Sequence, residues 1–172
     1  ELVKIEDHPP DICIQTEIMT GLPKLNLDPD RIRQVLLNLI HNAIHAVHPV
    51  GNIVIRCDIG RSPMSPQYKR PMMEITVTDD GTGIDPKDLK SLFVPFFTTK
   101  KQGTGLGLPI SQRLIEAHEG HIEVSSRANE GTSFVVSLPL PSQAIGEELE
   151  DDAPTESIPL SQLANLIDPD VV

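Results

Sequence analysis

Residues 72–86 read MMEITVTDDGTGIDP. The first eight alternate with the period of a strand. Met73, Ile75 and Val77 fall on one face, and Glu74, Thr76 and Thr78 on the other. Asp79 continues the apolar phase, so a carboxylate stands where a core residue belongs. Such a group is costly unless it is hydrogen-bonded or paired. Gly81 and Gly83 follow at once and let backbone approach closely without side chains. A buried acceptor beside open backbone suits a ligand that presents an amino donor. The D-x-G-x-G spacing alone also describes calcium loops and ordinary turns.

The elements on either side give this strand its setting. Residues 11–18, DICIQTEI, read as a strand. Residues 27–47, LDPDRIRQVLLNLIHNAIHAV, read as a helix capped by Asp28 or Asp30, with Pro29 at its first turn. Ile32, Val35, Leu36, Leu39, Ile40, Ala43, Ile44 and Val47 recur at helical spacing and predict its core face. Residues 53–59 alternate as a strand, and residues 60–71 form a Pro-rich, exposed connection before the strand at 72–79. Asp85 caps a short helix over 85–93. Residues 94–105 read as loop, and a helix begins near Leu106 with Ile110, Leu114 and Ala117 on one stripe. HIEVSS and TSFVVSLPL are two strands joined by RANEG, a hairpin connection. Helices and strands alternate too loosely for a doubly wound parallel sheet. The order predicts an α+β fold, a two-layer α/β sandwich with a mixed sheet and helices on one face.

Composition narrows the function classes. The chain has 172 residues and a net charge of −11. Eight of its 25 acids and none of its 14 Lys or Arg residues lie in 142–172, which leaves 17 acids against 14 bases, or −3, in 1–141. Neither part reads as a nucleic-acid binder, and aromatics at 3% supply no stacking platform for bases. Residues 1–141 are expected to form one domain, and 142–172 an acidic, disordered tail. No apolar run of spanning length and no signal-peptide pattern is present, so a cytoplasmic location without membrane contact is expected for this segment. The start at Glu1 without a Met reads as a piece cut from a longer chain, which itself is free to be membrane-anchored. Cys13 and Cys57 lie in strand-like alternations and read as reduced core thiols.

Three polar constellations remain. Asn38, Asn42 and His45 stand at i, i+4 and i+7 and share a helical stripe bordering the apolar face. On the helix alone they either satisfy neighbouring backbone or line a polar pocket, where an Asn oxygen suits one position on a magnesium ion held by phosphates. Asp79 is the second, an acceptor for a donor such as the exocyclic amine of adenine. The third is TTKKQGTGLGLPI, residues 98–110, where Gly103, Gly105 and Gly107 precede a helix. Backbone amides freed by glycine and a helix N-terminus make an anion site, to which Thr98, Thr99, Lys100 and Lys101 add donors and charge. The same run also reads as a flexible hinge. Its spacing is neither the dinucleotide G-x-G-x-x-G nor a P-loop.

In this order and spacing NLIHNA, DDGTGI, FVPFFTTK and GTGLGL resemble the N, G1, F and G2 boxes of the sensor histidine kinase ATP-binding domain. That domain belongs to the superfamily shared with gyrase, the Hsp90 chaperones and MutL. The resemblance covers about residues 11–141, and the wording of the last two boxes is closest to nitrogen-regulator-type sensor kinases. It implies the Bergerat ATP-binding fold and the ligands ATP and Mg2+. It implies that Asp79 accepts from the adenine amine, that Gly81 and Gly83 keep the adjacent wall open, that Ile84 is among the cofactor-binding residues, and that Thr132 supports the adenine end. Asn42 matches the magnesium ligand, with Asn38 one turn before it, and His45 stands where many sensor kinases carry a phosphate-contacting Lys. Phe97, Thr98, Thr99, Lys100, Gly103, Thr104, Gly105, Leu106, Gly107 and Leu108 match the ATP lid and its flanks, with Phe93, Phe96 and Phe97 anchoring its start. Asn38, Asn42 and Lys100 are the candidate catalytic residues.

The superfamily's ATPases use a Glu at the start of the N box to activate water. Here that residue is Asn38, and a carboxamide is no general base. The resemblance therefore implies a kinase that passes the γ-phosphoryl group to a histidine on a separate dimerisation domain, with a response regulator downstream. None of His8, His41, His45, His48, His118 and His121 lies in a phosphoacceptor H-E/D-x-x-[NT]-P pattern, so this segment is expected to be monomeric and unable to phosphorylate itself. A catalytically silent nucleotide-binding regulator and a slow ATPase are the alternatives.

Overall fold

The computed structural model describes residues 11–60, 71–100 and 103–141. Residues 61–70 of the Pro-rich connection, Lys101 and the acidic segment 142–172 lie outside the described residues. Eight elements follow in the order β1 (Ile12–Ile18), α1 (Pro29–Val47), β2 (Gly51–Gly60), β3 (Met72–Asp79), α2 (Pro86–Leu89), α3 (Gly107–Glu116), β4 (His121–Arg127) and β5 (Gly131–Pro139). They form one five-stranded sheet of order β1-β2-β3-β5-β4. β1 and β2 are parallel, joined by α1 as the crossover, and the remaining pairs are antiparallel. The sheet is mixed and the fold is the two-layer α+β sandwich expected from the element order.

α1 starts where its sequence dictates. Asp28 is the N-cap and accepts from the Arg31 N–H at 3.2 Å, Pro29 opens the first turn, and His45 sits in the last. Its buried residues are Ile32, Val35, Leu36, Leu39, Ile40, Ala43 and Val47, with Ile44 packed at the margin. They meet Ile53, Ile55 and Cys57 of β2, Met73, Ile75 and Val77 of β3, and Phe134, Val136 and Leu138 of β5 in one core. Burial pushes the Cys57 thiol up to about 12, so it packs as an inert apolar group.

Two side-chain bridges join α1 to α3. The Asp28 N–H donates to His118 Nε2 at 3.1 Å, while His118 Nδ1 donates to the Leu114 carbonyl at 2.7 Å. Near the helix middle, Asn38 Nδ2 donates to Ser111 Oγ at 3.0 Å.

Three expectations need correction. The buried face of α3 is Pro109, Ser111, Leu114 and Ile115, whereas Ile110 is 41% exposed and Ala117 is also exposed. The polar Ser111 turns inward because Asn38 meets it there, and that rotates Ile110 outward. Cys13 lies on the sheet face opposite the buried Ile12 and Ile14 and is only half-buried, so it is not a core thiol. The short helix after Asp85 ends at Leu89 and continues as turns.

The corrected face of α3 has a direct consequence. Ile115→Ala is expected to cost about 2–5 kcal/mol by cavity formation, and Ile110→Ala within about 0.5 kcal/mol. Urea unfolding of both variants checks this, and equal losses would restore the original stripe.

Candidate functional site

β3 delivers Asp79 to the sheet's end with its side chain on the core face. Its register partners are Ile53 of β2 and Thr132 of β5. Asp79 is 5% exposed. Its Oδ1 accepts from the Gly81 N–H at 2.9 Å, and the Thr132 backbone contributes a further hydrogen bond. Burial raises the carboxyl above the usual aspartate range, and these hydrogen bonds partly offset the rise. The neighbouring Asp80 turns away. It accepts from both the backbone N–H and Nδ2 of Asn52, each at 2.7 Å, and clamps the start of β2. The two adjacent aspartates thus do different work, one aimed at the interior and one closing a strand pair.

The glycines after them have a reason the sequence did not disclose. The turn is wedged between the end of α1 and the β4–β5 hairpin. Thr82 N–H donates to the Ala46 carbonyl at 3.2 Å, and Asn129 N–H to the Thr82 carbonyl at 2.7 Å. A Cβ on Gly81 would strike the Ala46 backbone. Gly83 has φ +63°, and its Cβ would strike the Arg127 carbonyl oxygen. Gly83 lines the cavity described below, and Gly81 packs against α1. Ser126, which sequence reading missed, locks the same corner. Its Oγ accepts from Ile84 N–H at 2.9 Å, donates to the Gly131 carbonyl at 2.8 Å and lies 2.9 Å from Thr132 Oγ1.

A cavity of about 870 Å³ opens above Asp79. Asn38, Asn42 and His45 line it from α1, and Thr132 and Ile84 from the Asp79 end. Phe97, Thr98, Thr99, Lys100, Gly103, Thr104 and Gly105 line it from the loop, and Gly107 and Leu108 from the start of α3. Of the sequence-predicted residues, Gly81 and Leu106 stand outside this lining; Leu106 is the N-cap position of α3. His41, Ala46, Thr82, Asp85, Asp88, Leu92, Pro109 and Phe134 line it without having been singled out. His41 follows from the same helical stripe, one residue before Asn42. The others come into place through the turn and the sheet register.

The loop is closed at its base by a Phe96 N–H to Gly105 carbonyl bond of 2.9 Å, with Gly105 at φ +66°. The three phenylalanines separate. Phe93 packs on the core and Phe97 faces the cavity. Phe96, at φ +67°, is 75% exposed and anchors nothing in the core. Within the loop, Lys100 N–H donates to Thr98 Oγ1 at 3.1 Å, and Gly103 N–H to the Lys100 carbonyl at 3.2 Å.

The loop and α1 meet in the lining. Lys100 Nζ donates to Asn42 Oδ1 at 2.6 Å. Burial lowers the Lys100 ammonium from its usual range. Burial, then Lys100, His41 and His48, lower His45, so its imidazole is neutral at pH 7. Lys100 is the one Lys or Arg among the described residues of the lining. Gly107 packs so tightly on Asn38 that a Cβ would strike Oδ1, which seats the start of α3 directly against the α1 stripe.

Among the described residues no helix is long and apolar enough to cross a membrane. Comparison with known proteins places this architecture. Residues 27–142 match the model of the histidine kinase-, DNA gyrase B-, and HSP90-like ATPase family. The chain is 44% identical over 119 residues to the sensor histidine kinase ZraS of Salmonella typhi, covering 69% of this chain and 24% of that protein. It is 41% identical over 125 residues to the signal transduction histidine-protein kinase AtoS of Escherichia coli K12, covering 73% of this chain and 19% of that protein. The chain thus spans about a quarter or less of the length of these relatives. The nucleotide-free catalytic domain of the histidine kinase ThkA superposes with a TM-score of 0.62 at 35% identity, over 75% of this chain and 79% of that one. The chain belongs to the histidine kinase-, DNA gyrase B-, and HSP90-like ATPase family.

Proposed function

We propose that this domain binds ATP with Mg2+ and donates the γ-phosphoryl group to a histidine on a separate dimerising helix hairpin, in two-component signalling. One observation carries the reading: a single cavity is lined by a buried carboxylate, Asp79, by the amides of Asn38 and Asn42 and by the Lys100 ammonium, with Asp85 and Asp88 also in the lining. A nucleotide has the complementary distribution, an amino donor on the base and anions at the tail. Asp79 accepts from the adenine amine with Thr132 beside it. The triphosphate faces Asn38, Asn42, His45, Lys100 and the Gly103–Gly107 run.

Asn42 fits the role of magnesium ligand, because its Oδ1 already serves a cation, the Lys100 ammonium. Among the described residues no group of three His, Cys, Asp or Glu can hold a metal ion. A single neutral oxygen is what this protein offers an ion whose other ligands are phosphates and water. When bound, the ion neutralises phosphate charge. Asn38 favours a kinase over a water-activating ATPase, since its amide is committed to Ser111 and cannot accept a proton. Of the three acids in the lining, Asp79 is held by Gly81 and Thr132, Asp85 caps α2 and pairs with Lys87 at 3.1 Å, and Asp88 lies in the first turn of α2. The hairpin and a downstream response regulator are the partners in this reading. The domain is monomeric and cytoplasmic, and exposed Phe96 gives the hairpin an apolar contact at the base of the lid.

Titration calorimetry of MgATP into the wild type and Asp79→Asn tests the pocket. The substitution is expected to weaken binding about 10- to 100-fold, the worth of a charged hydrogen-bond acceptor. Undiminished affinity would remove Asp79 from the base site. Stability should move the other way. The carboxyl is raised in the folded state, so its contribution is present below the ordinary aspartate pKa of about 3.9 and lost as pH rises through the folded value. Asp79→Asn is therefore expected to unfold at an equal or higher temperature than wild type at pH 7, with the difference closing below about pH 4. A lower Tm at pH 7 would contradict this sign.

Neutral His45 supplies a second test. Phosphates beside it should raise its pKa, so binding near pH 6.5 takes up protons. Calorimetry in two buffers of different ionisation enthalpy should show this uptake, and His45→Gln should abolish it. Buffer-independent heats in the wild type would place the phosphates away from His45.

A further inference from the structure

Lys100 is held in an unusual way. The residue is exposed, yet its ammonium reaches across to α1 and donates to Asn42 Oδ1 at 2.6 Å. The oxygen it meets is neutral, and no carboxylate forms an ion pair with it among the described ion pairs. The ammonium belongs to a residue of the loop. Its backbone is tied at both sides, by Lys100 N–H to Thr98 Oγ1 and by Gly103 N–H to the Lys100 carbonyl. Asn42 belongs to α1, the rigid helix of the core. A single bond therefore pins the lid to the helix across 58 residues of sequence.

We infer that Lys100 is an internal cation that competes with Mg2+ for Asn42 Oδ1, so that loading of the metal-bound nucleotide releases the lid from α1. The inference rests on the nucleotide-site reading above and adds a mutual exclusion to it. One amide oxygen aimed into the cavity serves one cation at close range. An ammonium at 2.6 Å occupies the position from which a divalent ion would take that oxygen, and two positive charges that close repel each other. Once displaced, the ammonium is free to pair with the phosphate oxygens. The same logic makes Lys100 a substitute for the metal when none is present. ATP without Mg2+ can then bind with the ammonium left in place, as the counter-charge to its phosphates.

Binding of ATP in EDTA and of ATP with excess Mg2+, measured by calorimetry for wild type and Lys100→Met, tests this. Hydrogen exchange of residues 97–106 in the nucleotide-free proteins is followed in parallel. The substitution is expected to weaken metal-free ATP binding at least about tenfold more than MgATP binding, the worth of a charge-assisted contact. It is also expected to speed lid exchange before any nucleotide is added. A lysine that only contacts phosphate would weaken both forms equally and leave nucleotide-free exchange unchanged. That result would overturn the inference while leaving the nucleotide site intact. A wild type that binds ATP in neither condition would overturn the site reading and this inference together. Lys100→Gln, which keeps a polar head without the charge, repeats the comparison should Lys100→Met fold poorly, with the same expected ratio.

Discussion

A carboxylate buried at the end of a central strand sets the terms for everything around it. Ionised Asp79 needs donors, because leaving it unsatisfied would cost more than a small domain can spare. The chain supplies them from its own backbone, through the Gly81 and Thr132 amides. Bringing those amides in requires a turn that presses on α1 and on the β4–β5 hairpin, and only glycine fits at both pressure points. The turn, the hairpin and the end of α1 meet around this side chain. Burial raises the carboxyl and its backbone hydrogen bonds partly offset the rise.

α1 links that floor to the opposite end of the cavity. Its apolar stripe forms the core with β1, β2, β3 and β5, and the adjoining polar stripe supplies Asn38, Asn42 and His45 to the cavity. The start of α3 is placed against this stripe by the Asn38–Ser111 bond and by the absence of a side chain on Gly107. The His118 bridge fixes the other end of the pair. The two helices therefore behave as one support, and the loop between α2 and α3 faces them across the cavity. The single ammonium–amide bond from that loop to α1 gives it a defined position that a competing cation can remove.

Periodicity made the framework legible. The core stripe of α1, the alternation in β2, β3 and β5, and the Pro and Asp that start α1 and α2 are local signals, and the elements formed where those signals lie. The anomaly at Asp79 was legible for the same reason, because a charge out of phase is visible without knowing its partner. What stayed hidden depends on contacts distant in sequence. Nothing in the local pattern says that Asp80 closes onto Asn52, that Ser126 ties the turn to Thr132, or that His118 accepts from Asp28. The face of α3 was misjudged because apolarity assigned Ile110 inward, whereas the buried hydrogen bond of Ser111 decides the rotation. Cys13 was misjudged because alternation gives phase but not which phase faces the helices.

In the proposed function the domain passes phosphate to a histidine brought by another segment and not to water. The direct measurement mixes the domain, γ-labelled MgATP and a separately prepared dimerising hairpin bearing the phosphoacceptor histidine of a related sensor kinase, with free phosphate assayed alongside. Acid-labile label on the hairpin, lost in Asp79→Asn, and negligible free phosphate from the domain alone are expected. Steady phosphate release without the hairpin, and no label on it, would contradict this function.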